Sequence, residues 1–596
     1  MSKPDNKRGS GRSPVAFYLI ALLLPLAFFG LLEGSVRLLG LAPVEPLFVD
    51  GPPGYLRPNE AVINRFFIHS SRAPRVSIDT TFFKKDKSAD AFRVVVQGGS
   101  SAAGFPYGKW ASLAGMLSHR LKRSEPDREI EVISTAMSAI NSYALLDFAD
   151  EIIAIDPDVV LIYAGHNEYL GVLGVGSAYG AGRSPAYTRI LLNLRNSHLF
   201  RAMQLAYGAG TPAPDSDAQQ SGTLMARIAR DRAIAYGSPV YAAGIEQFSY
   251  NLARLLGRYA DAGIPVLIGS LASNENGLPP FISEVGNENS LAALRKLSSG
   301  AGPGENTADG FFTIAQQLER VGSTAEARDS YRWARDLDAL RFRAPTEMNR
   351  VIRDVAAATG ATVVEVEAAL TNAARNGVIG NSLMLEHLHP NLRGYFLLAD
   401  AYFHSLIRQP GEPSWNEGPD RATAWQEIPV TEIDDLAAGY RLRYLKSDWP
   451  FQEQRQPVVI EPPRDPAEQI AQAWFFGKIG WQQAMQQALA HYQTVGDFDQ
   501  ATKIAINLAD AFPFESRPHY VSGRLLLATG QPQRALNYLA TAVRMAPTDS
   551  ESALALSDAY LATGRRDDAR RVLETLLRQR PDDTAAMEGL ARLTDG

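Results

Sequence analysis

Three short stretches hold residue types that can do chemistry together. The first is Gly98-Gly99-Ser100-Ser101, with Gly104 just beyond it. The second is Tyr163-Ala-Gly165-His166-Asn167-Glu168, and the third is Glu386-His387-Leu388-His389-Pro390-Asn391. Two of the chain's nine histidines fall in that last stretch. A serine hydroxyl becomes a useful nucleophile when an imidazole takes its proton and a carboxylate orients the ring. Ser100, His389 and Glu386 supply that set. The Asn167 amide can donate to the oxyanion that forms when a carbonyl is attacked. Gly99, His166, Glu168 and His387 are candidates for substrate contact or support. Each stretch also has a plainer reading: a small-residue turn, a turn asparagine, a histidine ahead of a helix. Ser101 is the alternative nucleophile. The alternative chemistry is a metal held by Glu386, His387 and His389, with His166 and Glu168 opposite. No histidine pair at helical i, i+4 spacing supports it, so neither metal nor cofactor is expected.

The elements that must position these residues are legible in the apolar pattern. Val94-Val95-Val96 is a continuous apolar run, as in a strand buried on both faces, and it breaks abruptly into glycine and serine. In an open α/β sheet, ligands bind at such strand ends. A helix is expected near 108–122, a strand at 129–134, a helix near 144–155 and a strand at 158–164. Then follow a helix near 247–262, strands at 264–270 and 362–366, and a helix near 392–407. This alternation predicts a parallel sheet with helices on both faces. Ser100 and Asn167 then emerge on one sheet edge.

In order and spacing, the three stretches resemble the SGNH hydrolases, the GDSL-type esterase and lipase superfamily. Gly98-Gly99-Ser100 stands for the family's Gly-Asp-Ser, and Gly165-His166-Asn167-Glu168 for its Gly-x-Asn-Asp. Glu386-His387-Leu388-His389 stands for its Asp-x-x-His. The block between them is best matched by Ile133-Ser-Thr-Ala136-Met-Ser-Ala139, with Ala136 at the glycine position. The resemblance implies a flavodoxin-like three-layer parallel sheet. It also implies Ser100 as nucleophile, His389 as general base and Glu386 as the orienting acid. The oxyanion hole would come from the Ser100 amide, the Ala136 amide and the Asn167 side chain. Gly99 and Glu386 replace aspartates, and Ala136 replaces a glycine whose φ, if positive, would strain alanine.

At 596 residues the chain is long enough for three or four domains. A net charge of −6 leaves no basic footprint, so nucleic acid is not an expected partner. Cysteine is absent, which removes disulfides and thiol catalysis. Residues 1–13 form a basic tail, with Lys3, Lys7, Arg8 and Arg12 against Asp5, and Pro14–Leu32 carries no charge. That run approaches the ~20 residues that cross a bilayer core. No Ala-x-Ala follows it, which favours an anchor at 14–34 over a cleaved signal. The basic flank predicts a cytoplasmic N-terminus, an inner-membrane anchor and a periplasmic bulk in a Gram-negative host.

A juxtamembrane connector is expected at 35–88, with short strands at 61–68 and 76–83, and the hydrolase-like domain at 89–408. Within that domain, 272–307 reads as a loop or lid and 308–340 as an inserted helical hairpin. Arg341 and Arg343 read as a solvated face or as contacts for an anionic substrate. Residues 409–470 read as a linker. From 471 to 596 the chain repeats: Gly496, Gly530 and Gly564 recur every 34 residues, as do Ala501, Ala535 and Ala569, and Pro513, Pro547 and Pro581. That period resembles tetratricopeptide repeats, an all-α solenoid, in frames 482–515, 516–549 and 550–583. The expectation is a membrane-anchored serine ester hydrolase of the envelope, esterase- or deacetylase-like, working through an acyl-enzyme. An acylated glycan is the substrate class its location suggests, and the repeats would bind a protein or peptide or serve as a passive appendage. The alternatives are an O-acyltransferase on envelope glycans and an inactive hydrolase-like scaffold.

Overall fold

The computed structural model describes residues 14–67, 73–74, 76–178, 185–195, 197–209, 224–229, 233–283, 307–409 and 415–594. The basic tail and residues 284–306 of the expected lid lie outside them. The chain forms two compact units, one from 1–46, 61–74 and 186–220, the other from 47–60, 75–185 and 221–596.

In the smaller unit, Pro14–Leu38 is one helix with Pro25 inside it. Its span Phe17–Leu38 has mean hydropathy 2.1, long and apolar enough to cross a membrane. Two further helices, Pro185–Arg195 and His198–Ala209, belong to this unit, where no element was anticipated. Residues 61–66, expected as strand, contain the 3₁₀ turn Val62–Phe66 instead.

In the larger unit, β1 (Phe48–Asp50), β2 (Tyr55–Pro58) and β3 (Phe83–Lys84) pair antiparallel. The main sheet has five strands: β4 (Phe92–Gly98), β5 (Ile130–Ser134), β6 (Val159–Tyr163), β7 (Val266–Gly269) and β8 (Thr362–Val364). Their order is β5-β4-β6-β7-β8 and every pair is parallel. Numbered within the sheet this is 2-1-3-4-5, the flavodoxin-like order, which reverses direction beside β4 and puts a ligand crevice at that strand's carboxyl end. Val94, Val95 and Val96 are fully buried, as their run predicts. The helix Leu113–Ser124 packs with Leu392–Leu406, and Ser142–Ala154 packs with Pro239–Asp261. Polar residues inside the sheet are paired: Gln97 donates to the Leu145 carbonyl at 3.0 Å and accepts from Tyr259 at 2.9 Å.

The inserted hairpin is present as Ala308–Arg320 and Thr324–Leu337. The repeats form three helix pairs, 481–495 with 498–511, 516–528 with 532–545, and 550–562 with 566–579. Gly496, Gly530 and Gly564 take left-handed φ values of 80°, 71° and 76°. Each bends the chain between paired helices without a Cβ penalty. Part of the expected linker is helical, Glu432–Lys446, and its Ile433 and Tyr440 share one core with Ile470, Ala484 and Ala501. The helical stack therefore begins well before residue 471. It meets the α/β layers through residues of both helix sets: Lys122 pairs with Asp510 at 2.8 Å, Asn537 reaches the Pro126 carbonyl, and the Trp481 ring lies 5.8 Å from that of Trp110.

Candidate active site

The carboxyl end of β4 delivers Ser100 half-exposed, two residues past a close approach of backbones. A Cβ on Gly98 would lie 2.4 Å from the Tyr163 carbonyl oxygen, so β4 and β6 can approach this closely only with glycine there. A Cβ on Gly99 would lie 2.8 Å from Asn167 Nδ2, which places that amide directly over the turn that carries Ser100.

His389 and Glu386 sit on the loop ahead of the Leu392–Leu406 helix, whose N-cap Asn391 accepts from the Gly394 amide. His389 Nδ1 bonds to Glu386 Oε1, and the same oxygen accepts from the His389 amide at 3.1 Å. With Nδ1–H turned to the carboxylate, Nε2 is the free lone pair, and Ser100 Oγ–H donates to it at 2.7 Å. Burial pushes the His389 pKa down to about 3, so the ring is neutral, as a general base must be. Phe105 lies against the ring at 4.6 Å between centroids. Ser101 is buried and its hydroxyl has no hydrogen-bond partner, so only the first of the two serines meets the imidazole.

The expected oxyanion donors divide. Asn167 Nδ2 donates one hydrogen to the Ile140 carbonyl at 3.0 Å, which orients the amide and leaves its second hydrogen available. Ala136 fits less well, because its N–H is turned to Ser134 Oγ at 3.3 Å. The left-handed residue of that loop is Ala139, with φ 65°, and its N–H has no acceptor among the described residues. The left-handed backbone at Ala139 is the signal, and an alanine in the sequence does not announce it.

The remaining candidates are structural. Glu168 touches no open surface: it is fully buried, accepts from the Ser142 amide and hydroxyl at 3.1 and 2.8 Å, and is bonded by Gln247 at 2.5 Å. It thus ties the start of the Ser142–Ala154 helix to the loop after β6 and to Gln247 of the Pro239–Asp261 helix, and burial raises its pKa to about 7. Of the two expectations for Glu168, substrate contact or support, its three internal donors fit support. His166 is buried and accepts at Nδ1 from the Ala344 amide at 3.1 Å. His387 is buried among Phe281, Phe342 and Phe451, with Nδ1 against Glu386 Oε2. The ligand atoms of Glu386, His387 and His389 lie within 4.8 Å of one another, and among the described residues that close set includes neither Glu168 nor His166.

Both readings of Arg341 and Arg343 are overturned. The two guanidiniums are buried: Arg343 pairs with Asp338 at 2.8 Å, and Arg341 donates to the Asp336 and Ile234 carbonyls. Residues 272–275, the start of the expected lid, are interior, whereas the described residues 276–283 are half-buried or exposed. Asn274 is fully buried and donates to the Glu386 carbonyl at 2.9 Å and, from its backbone, to the His387 carbonyl at 2.9 Å. It braces the loop that carries the imidazole, a role no motif announced. A cavity of about 750 Å³ lies between the β5 edge and the repeats, bordered by Lys109, His119 and Tyr538. Neither Ser100 nor His389 borders it.

A tetratricopeptide-repeat profile matches residues 486–550, and a second matches 526–593. No curated protein matches the chain. Among solved structures, the chain is similar to an acetylxylan esterase from Geobacillus stearothermophilus. The identity is 13% over 55% of this chain and 97% of that one, with a TM-score of 0.27. It is similar to a lipase/acylhydrolase from Enterococcus faecalis at 13% identity, over 54% and 100% of the two chains, with a TM-score of 0.26. The first tetratricopeptide domain of Spaghetti, bound to an HSP90 peptide, is similar at 16% identity over 19% and 88%, with a TM-score of 0.18. The 34-residue period, the left-handed glycines and the profile matches agree on the same helices. After its parallel α/β sheet, this chain carries at residues 486–593 a helical segment that matches tetratricopeptide-repeat profiles.

Proposed function

We propose that this protein is a membrane-anchored serine esterase of the SGNH type. Ser100 is the nucleophile, His389 the general base and Glu386 the acid that orients it. The observation that carries this reading is the 2.7 Å bond from Ser100 Oγ to a buried, neutral imidazole held from behind by a carboxylate. Ser100 Oγ attacks the acyl carbonyl carbon as its proton moves to His389 Nε2. The oxyanion draws on the Ser100 amide, Asn167 Nδ2 and, in place of Ala136, the Ala139 amide. His389 then protonates the leaving alkoxide, and a water deprotonated by the same nitrogen releases the acid from the acyl-enzyme.

The Pro14–Leu38 helix anchors the chain, with the bulk outside the cytoplasm, and acyl groups on envelope glycans are the substrates such a position offers. The repeats bind a protein or peptide, as their matching tetratricopeptide profiles suggest. A fluorophosphonate probe tests the central assignment in the full chain. Labelling of the wild type and none of Ser100→Ala is expected; equal labelling of both removes Ser100 as nucleophile. Turnover of p-nitrophenyl esters of graded length then reads the acyl preference.

A further inference from the structure

We propose that the helices Pro185–Arg195 and His198–Ala209 lie in the interfacial layer of the same bilayer that the Pro14–Leu38 helix crosses. The inference rests on the reading of that helix as a membrane span. The protein would then be held by a span and an in-plane pair of helices.

The first observation is a misplaced apolar stripe. Tyr187, Ile190 and Leu194 recur at i, i+3 and i+7, on one face of their helix, and are 55%, 59% and 45% exposed. Met203 and Leu205 on the next helix are each 52% exposed. In water a chain turns such a face inward, and surface apolar residues left together mark a contact with another apolar phase. A helix with one apolar face, too short to span, rests in the plane of a membrane interface.

The second observation is how this pair is fastened. The Glu33 carboxylate accepts from Ser197 Oγ at 2.7 Å and from the amides of His198 and Leu199 at 3.0 and 2.8 Å. These are unpaired donors at the start of the His198–Ala209 helix, satisfied by a side chain of the span. His198 Nδ1 adds a bond to the Leu41 carbonyl at 3.1 Å.

The third observation sets the depth. Along the span every side chain from Phe17 to Leu32 is exposed, and cover begins only at Glu33, Gly34 and Val36. The contact therefore lies where the uncharged run ends and Glu33 and Arg37 begin, the level at which an embedded helix leaves hydrocarbon for headgroups. Leu38 and Leu39, 91% and 71% exposed, continue the apolar surface at that level. A bilayer is the occupant that covers the span and the stripe at once, whereas a protein partner would account for the stripe alone.

The chain has no cysteine, so each introduced thiol is unique. Leu23→Cys, Ile190→Cys, Leu194→Cys, Met203→Cys and Gln486→Cys are made singly in the full chain, nitroxide-labelled and reconstituted into phosphatidylcholine/phosphatidylglycerol vesicles. Collision with oxygen, which concentrates in lipid, is compared with collision with a water-soluble nickel chelate. Oxygen should dominate at 190, 194 and 203, as at 23, and nickel at 486. Nickel dominating at 190, 194 and 203 overturns the in-plane placement, and so does exclusion of both reagents there, which means a protein surface covers the stripe. The label at 23 reads the span separately: nickel at that position overturns the anchor, whatever the other labels show.

Discussion

His389 is buried deeply enough to hold its pKa near 3 rather than the usual ~6.5. In the proposed reaction the base must be neutral to accept the Ser100 proton, and protonation as pH falls removes it. Because the folded value is depressed, kcat/KM on a p-nitrophenyl ester should stay level as pH drops through ~6.5 and fall only below that. An acid limb centred at ~6.5 would mean a solvated imidazole. Asn167→Ala should lower kcat about 10²-fold with little change in KM, the usual loss on removing one oxyanion donor. Glu168 titrates in the opposite sense. Its folded value of about 7 exceeds its ordinary 4.5, so the folded protein keeps a proton that the unfolded chain has lost between those values. Stability from this group is present below ~4.5 and is lost as pH rises through ~7, by at most roughly 3 kcal/mol for a fully buried carboxyl. Denaturant midpoints at about pH 5 and about pH 8 should differ less in Glu168→Gln than in the wild type.

At the scale of elements, close approach decides more than propensity. Gly98 reads in sequence as the first residue of a turn, yet it ends β4, and what it permits is lateral contact with the Tyr163 carbonyl of β6. Gly98→Ala should cost about 1–3 kcal/mol, as overpacking does, and should lose esterase activity as the following turn shifts; thermal melts and turnover check both. The repeat glycines were readable because a left-handed turn repeats with the period. Ala139 was not, because nothing about an alanine announces φ 65°. The fate of Arg341, Arg343 and Glu168 was hidden for a related reason. A charged residue is assigned to the surface until the partners that pay for its burial, here Asp338 and Gln247, are brought up from other parts of the chain.

At the scale of the molecule, the helical stack supports the proposed site as well as following it in the chain. Arg441, on the Glu432–Lys446 helix, donates to the Pro106 carbonyl at 2.8 Å, and Tyr395 donates to the neighbouring Phe105 carbonyl at 2.6 Å. Phe105 is the ring that lies tilted against His389. Arg441→Met keeps the aliphatic stem and removes the bond. It should lower kcat severalfold while shifting stability by only about 1–2 kcal/mol, measured as turnover beside a denaturation midpoint. A change in stability with unaltered kcat would make the contact a tether only.

By itself the sequence determined the strand and helix alternation, the repeat period, the long apolar helix and the residue types able to act as nucleophile, base and acid. Each of these is written in local order, as a periodicity or a short motif. Only the tertiary structure decided that residues 100, 386 and 389 meet, that Ala139 rather than Ala136 is the left-handed residue of its loop, that Asn274 braces the imidazole loop, and that residues 432–446 join the repeat core. Those outcomes depend on contacts between segments up to hundreds of residues apart, and burial, which sets both pairing and proton affinity, is a property of the assembled neighbours.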